Sequence, residues 1–334
     1  MPANLSPEYK TAEAAFRKAR EPRERLEWLR EMLRTIPKHK GTEHLQADIK
    51  ARIKDLGEDL EGGARRGGGH SGGPSLVVRP EGAAQVVLLG PSNTGKSSLH
   101  ARLTGSNAHV APYPFTTQFP EPGMLPHQDI HFQLVDLPPV AREHPLPWLA
   151  ATLQSADAAL LVVDLGEPAC LDELQAAIAL LAAKRVTFTD RWDGAAAPDD
   201  DPFARCLPAL LIANKSDAIG DAEAELRAFM ELGGFGFPSL AVSAQTGHNL
   251  AAIGEFLFEK LGVVRIYTKA PGHAPDKGRP FTLRRGQTVN DLAHLIHKDL
   301  AFKYARVWGH SDFNGQHVGH DHVLGDGDIV ELHA

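Results

Sequence analysis

The chain has 334 residues, 43% of them hydrophobic, enough to bury more than one core and to predict two or three domains. A net charge of −7 argues against a protein that coats nucleic acid along its whole length. No stretch approaches the ~18 consecutive apolar residues of a membrane span, and the polar start Met1-Pro-Ala-Asn-Leu-Ser predicts no secretory leader. The two cysteines, Cys170 and Cys206, lie in no metal or redox spacing; they read as small packed hydrophobes in a reducing, cytoplasmic compartment.

From the N-terminus, residues 8–36 and 42–61 read as two amphipathic helices. Leu26, Leu29, Met32, Leu33 and Ile36 recur at steps of three or four on the first, and Leu45, Ile49, Ile53, Leu56 and Leu60 on the second. They predict a helical hairpin over residues 1–62, whose turn Pro37-Lys38-His39-Lys40-Gly41 presents two lysines. The Gly-rich run 63–75 predicts a flexible linker, because it offers nothing to pack. Charge is uneven: residues 1–66 carry 15 Lys and Arg against 12 Asp and Glu, residues 264–334 carry 9 against 8, and the middle carries 11 against 22. The two ends, not the centre, are therefore suited to phosphate backbones, although solvated helix faces account equally well for any single charge.

Over residues 76–263 short apolar runs alternate with helical segments. Val86–Leu89, Phe132–Val135, Ala158–Val163, Ala209–Ile212 and Leu240–Val242 predict a mainly parallel sheet flanked by helices, an α/β domain. Between the first run and a helix lies Gly90-Pro91-Ser92-Asn93-Thr94-Gly95-Lys96-Ser97, which fits the phosphate-loop pattern G-x-x-x-x-G-K-[ST]. In such a loop the glycines let backbone N–H groups curl around phosphate oxygens, and the helix that starts at Lys96, Ser97 and Ser98 adds its positive end. Lys96 reaches the outer phosphates and Ser97 ligates Mg²⁺. Thr116 and Thr117 follow the loop; Thr117 is a candidate to close over the γ-phosphate and Mg²⁺, and ordinary turn chemistry is the bland alternative. Asp136, ending the next run, supplies the second oxygen ligand for Mg²⁺.

Binding phosphate does not choose a base. That choice is carried by Asn214-Lys215-Ser216-Asp217, an N-K-x-D string at a strand end about 120 residues after the phosphate loop. The Asp217 carboxylate can accept from the N1–H and exocyclic amine of guanine, which adenine cannot offer, so an ATPase is disfavoured. Ser243-Ala244, after the next run, completes a base pocket in which the Ala244 N–H is expected to face guanine O6. The loop from Gly194 to Pro202 is polar and is given no chemistry. Beyond Leu261 the apolar runs become short and alternating around one helix starting near Thr288, which predicts a small mixed domain over residues 264–334.

These strings together resemble the developmentally regulated GTP-binding proteins of the Obg superfamily. The resemblance spans nearly the whole chain: Lys40-Gly41-Thr42-Glu43-His44-Leu45 in the first segment, Tyr113-Pro114-Phe115-Thr116-Thr117 in the switch, and four strings in the last. Those four are Val264-Arg265-Ile266-Tyr267-Thr268-Lys269, Ile296-His297-Lys298-Asp299-Leu300, Ala305-Arg306-Val307-Trp308-Gly309 and Asp321-His322-Val323-Leu324. They look like a TGS domain, a ubiquitin-like β-grasp module. The resemblance implies a GTPase that binds GTP and GDP with Mg²⁺. It also implies docking on the ribosome or ribosomal RNA through the N-terminal hairpin and the TGS domain, and regulation by a protein partner.

Three departures qualify that expectation. Where the family has D-x-P-G this chain has Asp136-Leu137-Pro138-Pro139, and Pro139 has no N–H to give to a γ-phosphate. Val140 follows in place of a glutamine, leaving the attacking water without a side-chain partner. The family's G-domain insertion is shortened or absent. Slow hydrolysis is therefore expected, and a nucleotide-binding adaptor that scarcely hydrolyses is the alternative function. Asn93 stands where potassium-activated relatives of the fold coordinate K⁺, so K⁺ is a candidate second cation; tolerance of the loop's backbone angles is the competing explanation. His310, His317, His320 and His322 lack both cysteine partners and a tetrahedral spacing, and zinc is not expected.

Overall fold

The computed structural model describes residues 5–19, 21–65, 78–106, 119–140, 149–193, 201–297, 300, 302–310 and 313–333. Most of the expected linker, and the threonines Thr116 and Thr117, lie outside these residues.

The N-terminal segment forms α1 (Pro7–Lys18), α2 (Pro22–Thr35), a 3-10 turn at Lys40–Thr42 and α3 (Glu43–Arg65). The single long helix expected over 8–36 is thus two helices, and the unit is a three-helix module rather than a hairpin. The break has a local cause. A proline disfavours the helical conformation of the residue before it and lacks the N–H needed inside a helix. Glu21 is accordingly extended, at φ −72° and ψ 131°, and the chain restarts with Pro22 at the first helical position. Ser6 caps α1 by accepting from the Tyr9 N–H at 3.1 Å. Tyr9, Ala12 and Phe16 of α1 bury against Leu29 and Met32 of α2, Ile36 just after it and Ile49 of α3. Phe203, from the α/β domain, completes this core: it is 1% exposed, meets the Phe16 ring edge-on at 5.9 Å and lies under the Arg52 guanidinium.

The α/β domain runs β1 (Gln85–Leu89), α4 (Lys96–Thr104), β2 (Glu121–His127), β3 (Ile130–Asp136), α5 (Leu149–Ser155) and β4 (Ala158–Asp164). It continues through α6 (Cys170–Ala182), β5 (Val186–Thr189), β6 (Arg205–Asn214), α7 (Ala222–Gly233), β7 (Ser239–Ala241) and α8 (Ala251–Lys260). The strand order is β2-β3-β1-β4-β6-β5, with β7 beside the C-terminal half of β6; every pairing is parallel except β2 with β3. All five residues of β1 are buried because helices cover both faces. Strands β2 and β5 lack the apolar runs that mark the others. β2 carries Pro122 and Pro126, which only an edge strand tolerates, and it lies at the edge.

The last segment forms β8 (Val263–Thr268), β9 (Asp276–Arg284), α9 (Val289–Ile296), β10 (Tyr304–Trp308), β11 (Gln316–Val318) and β12 (Asp328–His333), in sheet order β11-β10-β12-β8-β9. α9 starts with a capping box between Thr288 and Asp291 and buries Val289, Leu292 and Ala293 on one sheet face. Arg265 of β8 holds this sheet to the tip of the β2–β3 hairpin. It donates to Asp129 at 3.0 Å and to Gln128 at 2.6 Å, while Asp326 grips its other nitrogens at 3.0 and 2.7 Å. Tyr267 donates to the second oxygen of Asp129. Among the described residues no helix is long and apolar enough to cross a membrane.

Candidate nucleotide site

In a parallel sheet the loops that leave the C-terminal strand ends gather along one edge, and that edge is where ligands bind. Here it collects the loop after β1, Asp136 at the end of β3, Asp164 at the end of β4, Asn214 at the end of β6 and Ser243 after β7. The loop after β1 is shaped by positions that no larger residue fits. At Gly90, φ +148°, an added Cβ would stand 2.1 Å from the Val162 carbonyl oxygen; at Gly95, φ +82°, it would stand 2.5 Å from Asn214 Nδ2. Asn93 takes the left-handed conformation at φ 61°, which asparagine tolerates better than most residues. Thr94 is buried and its hydroxyl donates to the Pro91 carbonyl at 3.2 Å.

Lys96 opens α4 and is 6% exposed, its ammonium donating to the carbonyls of Gly90 at 3.1 Å and Pro91 at 2.6 Å. Burial pushes its pKa down to about 8, partly offset by the carboxylates of Asp136 and Glu173. The loop therefore wraps a desolvated cation, an arrangement that an anion would relieve. Next to it the Ser97 hydroxyl donates to Asp136 Oδ2 at 2.5 Å, and Asp136 is fully buried. A hydroxyl and a carboxylate converging on one point form the hard-oxygen pair that Mg²⁺ takes, so the residues present fit that ion. Ser98, half-buried, follows in the first turn of α4.

Although the sequence separates them by about 120 residues, the N-K-x-D string is joined to the phosphate loop. Asn214 is buried and bridges two loops: its Nδ2 donates to the Thr94 carbonyl at 3.0 Å, and its Oδ1 accepts from the Ala244 N–H at 3.0 Å. Lys215, at φ 61°, reaches back so that its ammonium donates to the Asn93 carbonyl at 2.7 Å and to Asp164 Oδ2 at 2.7 Å. Buried Ser243 donates through its hydroxyl to Asp217 Oδ1, and accepts from the Thr246 N–H at 3.0 Å. The Asp217 carboxylate is thereby oriented while remaining at the surface. The Ala244 N–H, read from the sequence as a partner for guanine O6, here donates to Asn214 Oδ1.

Lys96, Ser97, Asp136, Asn214, Lys215, Asp217, Ser243 and Ala244 thus lie on one edge, with Gly90, Asn93, Thr94, Gly95 and Ser98 forming its phosphate loop. Pro138 and Pro139 are buried beyond Asp136. Asp217 also lines an open cleft of about 400 Å³ with Ser216, Ile219, Ala241, Thr246 and His248. Neither Lys96 nor Asp136 nor any other residue of the phosphate loop lines that cleft, which belongs to the loops around Asp217 and Thr246. Asp164 went unnoticed in the sequence, although a carboxylate ending an apolar strand run was the same signal that picked out Asp136.

Comparison with known proteins shows relatives over nearly the whole chain. The family described as 50S ribosome-binding GTPase matches residues 85–189, and the TGS domain family matches residues 264–334. An uncharacterized GTP-binding protein of Methanocaldococcus jannaschii is 30% identical over 365 residues, covering 92% of each chain. Developmentally-regulated G-protein 3 of Arabidopsis thaliana is 28% identical, covering 90% of this chain and 95% of its own. Ribosome-interacting GTPase 1 of Saccharomyces cerevisiae is 27% identical, covering 90% of this chain and 96% of its own.

Proposed function

Because this chain belongs to the developmentally regulated GTP-binding proteins, a family of P-loop GTPases, we propose that it hydrolyses GTP to GDP and phosphate while docked on the ribosome or another RNA-containing partner. The observation that carries the nucleotide half is the union of two distant motifs, with Asn214 Nδ2 3.0 Å from the Thr94 carbonyl and Lys215 Nζ 2.7 Å from that of Asn93. A loop that cradles phosphate and a carboxylate that reads a base are thus held at a fixed separation. Lys96 turns from its carbonyl acceptors to the β and γ phosphates, and the loop's N–H groups orient them. Ser97 and Asp136, with Thr117, would hold Mg²⁺, which when bound would neutralise charge on the phosphates. Asp217, steadied by Ser243, accepts from guanine N1–H and its amine.

The docking half is supported by the yeast relative, named a ribosome-interacting GTPase, and by the basic excess of residues 1–66 and 264–334 around an acidic centre. Co-sedimentation with ribosomal particles in GDP and in a non-hydrolysable GTP analogue tests it. Retention in one nucleotide state is expected, and absence from the pellet in both refutes it. Hydrolysis is tested by single-turnover cleavage with and without particles, in KCl and in NaCl. Faster cleavage in KCl supports Asn93 as a K⁺ ligand, and equal rates at matched ionic strength remove that cation. Pro139 favours the second reading, an adaptor that binds GTP and GDP without turnover, because it cannot donate to the γ-phosphate. Cleavage in neither condition leaves only the adaptor.

A further inference from the structure

One carboxylate at the site edge has no part in the chemistry above. Asp164 ends β4 and, because β4 pairs in parallel with β6, stands in register with Asn214. Its Oδ1 accepts from the Gly166 N–H at 3.0 Å, so its own loop fixes the carboxylate's orientation. Its Oδ2 faces Lys215 Nζ at 2.7 Å, while the same ammonium donates to the Asn93 carbonyl at 2.7 Å. Three loops, after β1, β4 and β6, therefore meet at one cation.

Lys215 requires such an anchor. Its Cε passes 3.8 Å from where a Cβ on Gly95 would stand, so the stem lies across the phosphate loop. Yet the side chain is 43% exposed, and a long exposed stem loses rotamer freedom when it is held in one place. A lone neutral carbonyl is a weak tether for it. Asp164, 16% exposed and already locked by Gly166, adds a charge-assisted bond from a rigid base. The geometry points to Asp164 as a positioning residue for the nucleotide: by holding the Lys215 ammonium it keeps the stem strapped over the phosphate loop and slows escape of the bound guanine nucleotide. The inference rests on the nucleotide reading of this edge, and it assigns to Asp164 retention rather than chemistry.

The test is release of fluorescently labelled GDP, chased by excess unlabelled GDP, from wild type, D164A, D164N, K215M and the D164A/K215M double variant. D164A is expected to speed release about three- to tenfold, and D164N, whose amide oxygen still accepts from an ammonium, less. K215M is expected to speed release at least as much as D164A. The double variant releases no faster than K215M alone, because Asp164 acts only through that ammonium. In D164A and D164N the association rate and binding stoichiometry stay at wild-type values, which damage to the fold would not spare. Release unchanged in D164A overturns the inference, and so does a double variant whose effect is the product of the two singles. If D164A does not fold, D164N with and without K215M carries the same comparison. A wild-type chain that takes up no labelled GDP defeats the nucleotide reading itself, and is a different failure from normal uptake with unaltered release.

Discussion

Raising the pH should weaken nucleotide binding in a way that counts protons on Lys96. In the free protein burial holds this ammonium at a pKa of about 8, against an ordinary 10.5. A triphosphate or diphosphate beside it favours the charged form, so the pKa in the complex lies well above that of the free protein. Below pH 8 the free lysine is already charged and affinity is level with pH. Above pH 8 the free lysine is increasingly neutral, binding must take up a proton, and affinity falls toward tenfold per pH unit. At pH 9 about nine-tenths of a proton is taken up, and the dissociation constant is about ten times its value at pH 7, or ~1.4 kcal/mol. Calorimetric titration with GDP and Mg²⁺ in buffers of different ionisation enthalpy counts the proton directly. K96R keeps its charge throughout, so any pH dependence that belongs to the guanine ring itself survives in that variant and can be subtracted. Proton uptake near zero at pH 9 in the wild type would refute the claim that a desolvated Lys96 receives the phosphates.

Three further outcomes follow from the packing. Gly95→Ala places a Cβ 2.5 Å from Asn214 Nδ2 at a φ of +82°, so the bond that joins the two motifs breaks; labelled-GDP titration should show at least about a hundredfold loss, and near-normal affinity would contradict the geometry. Phe203→Ala empties a fully buried ring site between the three-helix module and the α/β domain, and urea unfolding should register about 3–5 kcal/mol, together with new protease cleavage in α1–α3. Burial, the largest single effect, raises the Asp129 and Asp326 carboxyls, but the hydrogen bonds they accept and the Arg265 charge together outweigh it and hold both below the usual carboxylate value of 3.8. Their contribution to the Arg265 clamp is therefore complete above about pH 4 and lost as the pH falls below it. Asp129→Asn should reduce the acid-side change in hydrogen-exchange protection of β8 to the share that Asp326 carries, and an unaltered profile would show that the clamp does not hold the two sheets together.

Much of the site was legible in the linear sequence because phosphate and guanine recognition use contiguous strings. The run from Gly90 to Ser97 specifies a loop at the head of a helix, and Asn214 to Asp217 specifies a loop at the end of a strand, through residue types that few other local structures require. Apolar runs marked β1, β3, β4 and β6, which are largely buried, and the short, half-buried β7. They failed for β2 and β5, where an edge position or a short pairing removes the need for a continuous apolar pattern. The break between α1 and α2 was written at Pro22, but the apolar period on either side of it masked the stop.

What the string of residues could not hold was contact across long separations. Asn214 joins Thr94 and Ala244, Lys215 joins Asn93 and Asp164, Arg265 joins Asp129 and Asp326, and Phe203 enters a core built by helices more than 150 residues earlier. A single Asp, Arg or Phe carries no local signature of its partner, since the pairing arises only when parallel strands set their ends side by side and the domains close on one another. For that reason the chemistry of nucleotide binding belonged to the sequence, while the bond between Ala244 and Asn214, the anchoring of Lys215 and the clamp on the β2–β3 hairpin were decided by the fold.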